Sequence, residues 1–164
     1  MPSFDVTSTV DLQEVDNAVN QARKEIAQRY DFKGSKAAID FNRTESTLTL
    51  TAEDEFRMTA LFDILQTRLV RRNVPVKNLK MGDIEHGGND TVRRVITLQQ
   101  GIPTDASREV VKFLKDKKLK KVQAAIQADQ LRISSPSRDE LQNAMGLLKA
   151  EDFGVALQFG NYRD

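Results

Sequence analysis

The feature that most restricts the fold of this chain is an order of elements written into it twice. In the first copy Phe4, Val6 and Val10 alternate with polar residues, so 3–10 reads as a strand. Asp11, with Glu14 three residues on, has the form of a capping box. Val15, Ala18, Val19, Ala22, Ile26 and Tyr30 then make one apolar stripe at helical spacing. Ile39 and Phe41 mark a strand, and Leu48 and Leu50 its hairpin partner. Thr51 with Asp54 opens a second helix carrying Phe56, Ala60, Leu61, Ile64, Leu65 and Leu69; 76–81 is a further strand. The second copy begins near Val92, with a strand over 92–99. Pro103-Thr104-Asp105 opens a helix, a hairpin places Val122, Ala124 and Ile126 opposite Leu131 and Ile133, and Ser137 with Glu140 caps the last helix. Val155, Leu157 and Phe159 alternate in a closing strand.

Strand, helix, strand, strand, helix, strand over about 80 residues makes a four-stranded sheet with both helices on one face, the ferredoxin-like arrangement. The expectation is an α+β protein of two tandem ferredoxin-like (βαββαβ) domains, 1–90 and 91–164, with Gly82 to Thr91 as linker. This fold hosts many activities, so function has to be read from side chains.

Composition narrows the chemistry. No apolar run reaches the length of a membrane span, and the opening Met1-Pro2-Ser3-Phe4-Asp5 is neither a signal nor a transit peptide. Zero cysteines exclude a disulfide framework and a thiolate metal site, and suit a reducing cytoplasm. The single histidine, His86, lies in a polar stretch and argues against histidine-based metal or nucleophile chemistry. We expect no metal, no cofactor and no membrane partner. Residues 1–90 carry 12 Lys/Arg against 15 Asp/Glu, and 91–164 carry 13 against 9, so the second half is the better surface for an anion.

The densest functional signal is Arg29-Tyr30-Asp31-Phe32-Lys33-Gly34-Ser35-Lys36. Gly34 permits an open turn whose amides approach a ligand closely, and Lys33, Ser35 and Lys36 suit a phosphate. The alternative is structural: Gly34 ends the helix, the lysines favour its negative end, and Tyr30 and Phe32 join the core. The uncovered faces of the two sheets are polar and lack the exposed aromatics of RNA-recognition domains. On the second, Gln123, Gln127 and Arg132 suit a base or ribose. Arg93 and Arg94 are consecutive in a strand and point to opposite faces, so at least one needs an acid or a phosphate. Lys112, Lys115, Lys117, Lys118, Lys120 and Lys121 form a separate cluster suited to an RNA backbone. The candidate nucleotide site is therefore Arg29, Lys33, Gly34, Ser35, Lys36, Arg93, Arg94, Gln123, Gln127 and Arg132, and the lysine cluster is the alternative, RNA-binding surface. An enzyme holding Mg²⁺ on Asp31 and Asp40 is the least favoured reading, and the expectation is no enzyme activity.

Several uncommon strings in order, Met1-Pro2-Ser3-Phe4-Asp5-Val6, Arg29 to Ser35, Val92 to Gln99, Lys121 to Gln127, Arg138 to Gln142 and Leu157 to Arg163, resemble the YajQ family of bacterial proteins along essentially the whole chain. Ser135-Pro136-Ser137 departs from the basic or glycine-containing turn expected of relatives there. The resemblance implies exchanged strands, with 3–10 completing the second sheet and 92–99 the first. It also implies a cytoplasmic protein that binds a nucleotide (GTP, ATP or cyclic di-GMP), with links to RNA and a regulatory role toward a partner protein. It brings no agreed catalytic motif.

Overall fold

The computed structural model describes residues 1–164. In chain order the elements are β1 (Ser3–Thr7), α1 (Leu12–Gln28), β2 (Ala38–Asn42), β3 (Thr47–Ala52), α2 (Glu55–Arg71), β4 (Leu79–Met81), β5 (Glu85–His86), β6 (Val92–Leu98), α3 (Thr104–Asp116), β7 (Gln123–Gln127), β8 (Gln130–Ser134), α4 (Arg138–Ala150) and β9 (Gln158–Arg163). They form two compact units, one of Val10–Gln99 and one of Met1–Thr9 with Gln100–Asp164.

The Val10–Gln99 unit has the antiparallel sheet order β2-β3-β6-β4, with β5 also pairing β6. Ile39, Leu48, Leu50, Val92 and Ile96 all point to one face, where Val15, Ala18, Val19 and Ala22 of α1 and Met58, Leu61 and Leu65 of α2 cover them. The other unit has the order β7-β8-β1-β9. Here Phe4, Val6, Leu131 and Ile133 pack beneath Val110 and Leu114 of α3 and Leu141, Ala144 and Leu148 of α4. Each large side chain buried in this way stabilises by about 1.5–3 kcal/mol.

In each sheet one central strand pairs with a strand distant in sequence. β1 lies between β8 and β9, with Phe4 opposite Ile133 and Val6 opposite both Leu131 and Phe159. β6 lies between β3 and β4, with Ile96 opposite Leu48 and Met81. The outer unit is thus a βαββαβ chain with the whole of Val10–Gln99 inserted after its first strand. The inner unit is the same order of elements permuted, its leading strand moved to the end. The charge imbalance between sequence halves disappears on this division. Val10–Gln99 carries 14 Lys/Arg against 14 Asp/Glu, and the outer unit 11 against 10.

Local signals set the helix starts. Asp11 accepts the N–H groups of Gln13 at 3.0 Å and Glu14 at 3.4 Å, while Glu14 turns to Asn17 instead of closing the capping box. α2 starts at Glu55 because Asp54 is its cap, accepting from Arg57 N–H at 2.7 Å; Thr51 stays in β3. Ser137 caps α4, accepting from Glu140 N–H at 3.3 Å. Several expectations need correction. Gly82 to Thr91 is not a linker, since it lies inside the Val10–Gln99 unit and carries β5, paired with β6. Val76–Asn78 is a 3₁₀ turn, so the strand expected over 76–81 is only Leu79–Met81. Tyr30 is 88% exposed because α1 ends at Gln28 and Arg29 is extended, so the helical phase that placed Tyr30 on the stripe is lost. Phe56, in the first turn of α2, is 82% exposed. The last strand starts at Gln158, three residues beyond Val155, and runs to Arg163, which pairs with Ser3.

Candidate functional site

After α1 the chain makes a 3₁₀ turn over Tyr30–Phe32. Lys33 (φ −63°, ψ 125°) and Gly34 (φ +73°) then form a type II turn, closed by Ser35 N–H donating to the Phe32 carbonyl at 3.0 Å. Glycine is required by its backbone angle alone, since a Cβ there would meet nothing within 4 Å. Gly34 therefore shapes a turn beyond the helix and does not cap it.

This turn already holds an anion, the carboxylate of Glu53. The Ser35 hydroxyl lies 2.6 and 2.9 Å from its two oxygens, Lys36 N–H donates to it, and Arg57 Nε sits 3.3 Å away. Lys36 Nζ donates to the Asn89 carbonyl at 3.0 Å. Arg29 is bound in a fork to Asp31, at 2.9 and 2.6 Å. The hydrogen bond from Arg29 is the main reason the Asp31 carboxyl is held below its ordinary range. Asp31 is thereby engaged by Arg29, while Asp40 stands exposed on β2. Of the three cationic side chains in the turn, that of Lys33 alone forms no hydrogen bond or ion pair.

The remaining candidates are dispersed. Arg93 pairs with Glu85 at 3.2 Å. Arg94, on the opposite face of β6 and level with Leu50, is half-buried, and its Nε is buried without a hydrogen-bond partner. Gln123 is exposed and Gln127 half-buried. Arg132 donates through Nε to Asp5 at 3.0 Å, and Asn161 donates to the other oxygen of Asp5 at 2.6 Å. Asp5, only 6% exposed, is the central member of this cluster and was missed from sequence; an acid between Phe4 and Val6 in a strand is its signal. Its carboxyl lies below the ordinary range, first because of the Arg132 hydrogen bond, then that of Asn161, against the opposing effect of burial.

The lysine cluster is where the structure opens. α3 ends at Asp116, four residues shorter than α1, and residues 117–122 cross to β7 with Lys118 in the left-handed region at φ +57°. Between this crossing, α3 and β7 lies a cavity of about 560 Å³. Its floor is Val111, Leu114, Leu119, Val122 and Ala124; its polar groups are Lys115, Lys118, Lys120 and Gln123. A second cavity of about 290 Å³, lined by Arg108, Lys112, Asp116 and Ile126, continues it and shares Val111 and Lys115. Arg108, Lys112, Lys115, Lys118 and Lys120 form no salt bridge. Lys117 instead lies over the Phe113 ring at 5.3 Å, and Lys121 gives its N–H to Glu140.

Fold and site together define a protein of two βαββαβ-type units with a pair of adjoining cation-lined, apolar-floored cavities in the outer unit. The chain belongs to the family described as nucleotide-binding protein YajQ-like, which matches residues 2–163. A protein of Geotalea uraniireducens named "Nucleotide-binding protein" is 51% identical over 163 residues, covering 99% of each chain. Proteins of the same name from Acidithiobacillus ferrooxidans and Trichlorobacter lovleyi are 49% and 46% identical over 164 residues, covering all of each chain. No helix is long and apolar enough to cross a membrane.

Proposed function

We propose that this chain binds a nucleotide in the cytoplasm without turning it over, and that the site is the larger cavity between α3, residues 117–122 and β7. The observation that carries this reading is the set of uncommitted cations, Lys115, Lys118 and Lys120, around an apolar floor in a cavity of about 560 Å³. That volume falls within the usual range for small-molecule sites. The three ammonium groups hold phosphate, the base lies over Val111, Leu114 and Val122, and the Gln123 amide meets a base edge or ribose hydroxyl. A guanine nucleotide or cyclic di-GMP supplies both the phosphates and the extended planar surface. The names of the relatives support the ligand class. The turn at Lys33 to Lys36 is a weaker site, because a phosphate there has to displace Glu53 from Ser35 and the Lys36 amide.

Calorimetry with GTP, ATP and cyclic di-GMP tests the reading, with micromolar or weaker affinity expected for an open surface site. Lys118→Gln with Lys120→Gln should weaken binding at least tenfold at unchanged stability, and Lys33→Ala with Lys36→Ala should leave it intact. No heat from any of the three at millimolar ligand overturns the proposal; loss of binding in the Lys33 and Lys36 variant alone moves the site to the turn. RNA is the second reading, favoured by Lys112, Lys117 and Lys121, which extend the positive surface beyond the cavity. RNA binding predicts a steep loss of affinity with salt, flattened by Lys117→Gln and Lys121→Gln.

A further inference from the structure

β7 is the outermost strand of its sheet, paired on one side only, with β8. The β7–β8 hairpin turns through two residues, Ala128 and Asp129, between the paired Gln127 and Gln130. In such a hairpin the residues flanking the loop exchange both backbone hydrogen bonds, and the bonded pairs recur at every second residue. Gln127, Ala125 and Gln123 therefore bond inward to β8, and Ala124 and Ile126 direct their N–H and C=O groups outward. Those two residues also line the two cavities, Ala124 the larger and Ile126 the smaller. A row of unpaired backbone groups thus runs along an apolar channel whose other wall is α3.

The corresponding edge of the inner unit is plugged at one carbonyl. There Arg23 of α1 donates through Nε and Nη2 to the Ile39 carbonyl of the outer strand β2, at 3.1 and 2.6 Å. No such plug exists at β7, where Arg108 and Lys112 of α3 stand unpaired beside Ile126, which is 47% exposed. Unprotected edges are normally blunted, and one left open is a template for another strand.

We propose that β7 receives an extended acidic segment of a partner protein as an added strand, its carboxylates seated against Arg108, Lys112 and Lys115. The charge of the wall selects the partner: three cations against the single acid Asp116 along the smaller cavity. The spacing selects its conformation. Arg108 and Lys112 are one helical turn apart, ~6 Å along the axis, and alternate residues of a strand are ~6.6 Å apart. An acid at every second position therefore meets α3, while the backbone bonds Ala124 and Ile126. Val111 and Ile126 keep water from these pairs. This inference shares Lys115 and Ala124 with the larger cavity, and Arg108 and Lys112, which line the smaller one and not the larger, test it separately from the nucleotide reading.

The test is fluorescence anisotropy with a short fluorescein-labelled peptide of alternating Glu and Val, read against a Lys–Val peptide of equal length. The acidic peptide should bind and the basic one should not. Ile126→Pro removes an outward N–H and leaves the β8 ladder intact, which is where a sheet tolerates proline. It should keep the circular dichroism spectrum and weaken the peptide at least tenfold. Arg108→Glu with Lys112→Glu should likewise weaken the acidic peptide and confer binding of the Lys–Val peptide. If Ile126→Pro does not fold, the acidic peptide N-methylated at alternate amides, tested on the natural chain, replaces it and should fail to bind. Equal binding of both peptides, binding indifferent to Ile126→Pro and to N-methylation, or capture of an RNA oligomer but not the acidic peptide would each overturn the proposal.

Discussion

The two units answer one structural problem in opposite ways. Each has a helix running beside the outermost strand of its sheet, α1 beside β2 and α3 beside β7. Over β2 the helix is long, and Arg23 reaches down to the Ile39 carbonyl. Over β7 the helix stops four residues sooner, the cations stay unpaired, and a channel remains. The difference is one of commitment. Basic residues close a surface when they bond their own backbone and open it when they do not. Net charge does not register this, since the units differ by a single charge.

The contrast can be tested where the units differ most. Asp5→Ala should have the largest effect, about 2–3 kcal/mol, because it leaves the half-buried Arg132 without its acceptor and removes that of the exposed Asn161. The inner unit has Val95 opposite Thr49 at the matching place in its central strand, and no such dependence. Hydrogen exchange should therefore show β1, β8 and β9 losing protection while β3 and β6 keep theirs; equal loss in both would erase the distinction. Acid should mimic the substitution. The folded-state pKa of Asp5 lies below its ordinary 3.8, so its contribution is complete above that value and is lost as pH falls through the lower, folded-state one. A pH titration of exchange rates should show the outer unit loosening first, below about pH 4.

Arg23→Ala should cost about 1.5–3 kcal/mol, the range for hydrogen bonds made by a charged donor. It should also convert the plugged edge into an open one, detected as new exchange at β2 and weak uptake of the acidic strand peptide. A variant that loses stability but keeps β2 protected would show that Arg23 is not the plug. Gly34→Ala should cost about 1 kcal/mol through its left-handed backbone, with no clash to add to it. Nucleotide affinity should be unchanged, and a fall would return the ligand to the turn. Tyr30→Ser, at a nearly bare aromatic, should shift stability by no more than about 0.5 kcal/mol in a denaturant titration.

Periodicity made the elements readable, because each helix and strand hides one face and the spacing of Val15, Ala18, Val19 and Ala22 or of Leu131 and Ile133 records which. Asp11, Asp54 and Ser137 announced three helix starts by chemistry that acts over three residues. The site was harder for the opposite reason. The lysines of α3 were visible, but whether they were free depended on acids placed elsewhere in the chain. Ser35 and Lys36 looked available until Glu53, 17 or more residues away, took them. Arg132 looked available until Asp5, at a separation of 127 residues, did the same. The floor of the cavity has no signal of its own in the sequence, since Val111, Leu114 and Val122 carry the same apolar pattern whether a helix covers them or stops short.

The placement of β1 also has a consequence in time. Residues 10–99 contain every strand of their own sheet and can close as they leave the ribosome. Ser3 to Thr7 cannot: their neighbours are residues 131–134 and 158–163. At typical elongation rates of ~5–20 residues per second, β1 waits roughly 10–30 s for β9. Until residues 131–134 and 158–163 are made, Phe4 and Val6, buried in the finished fold, have no partner strand.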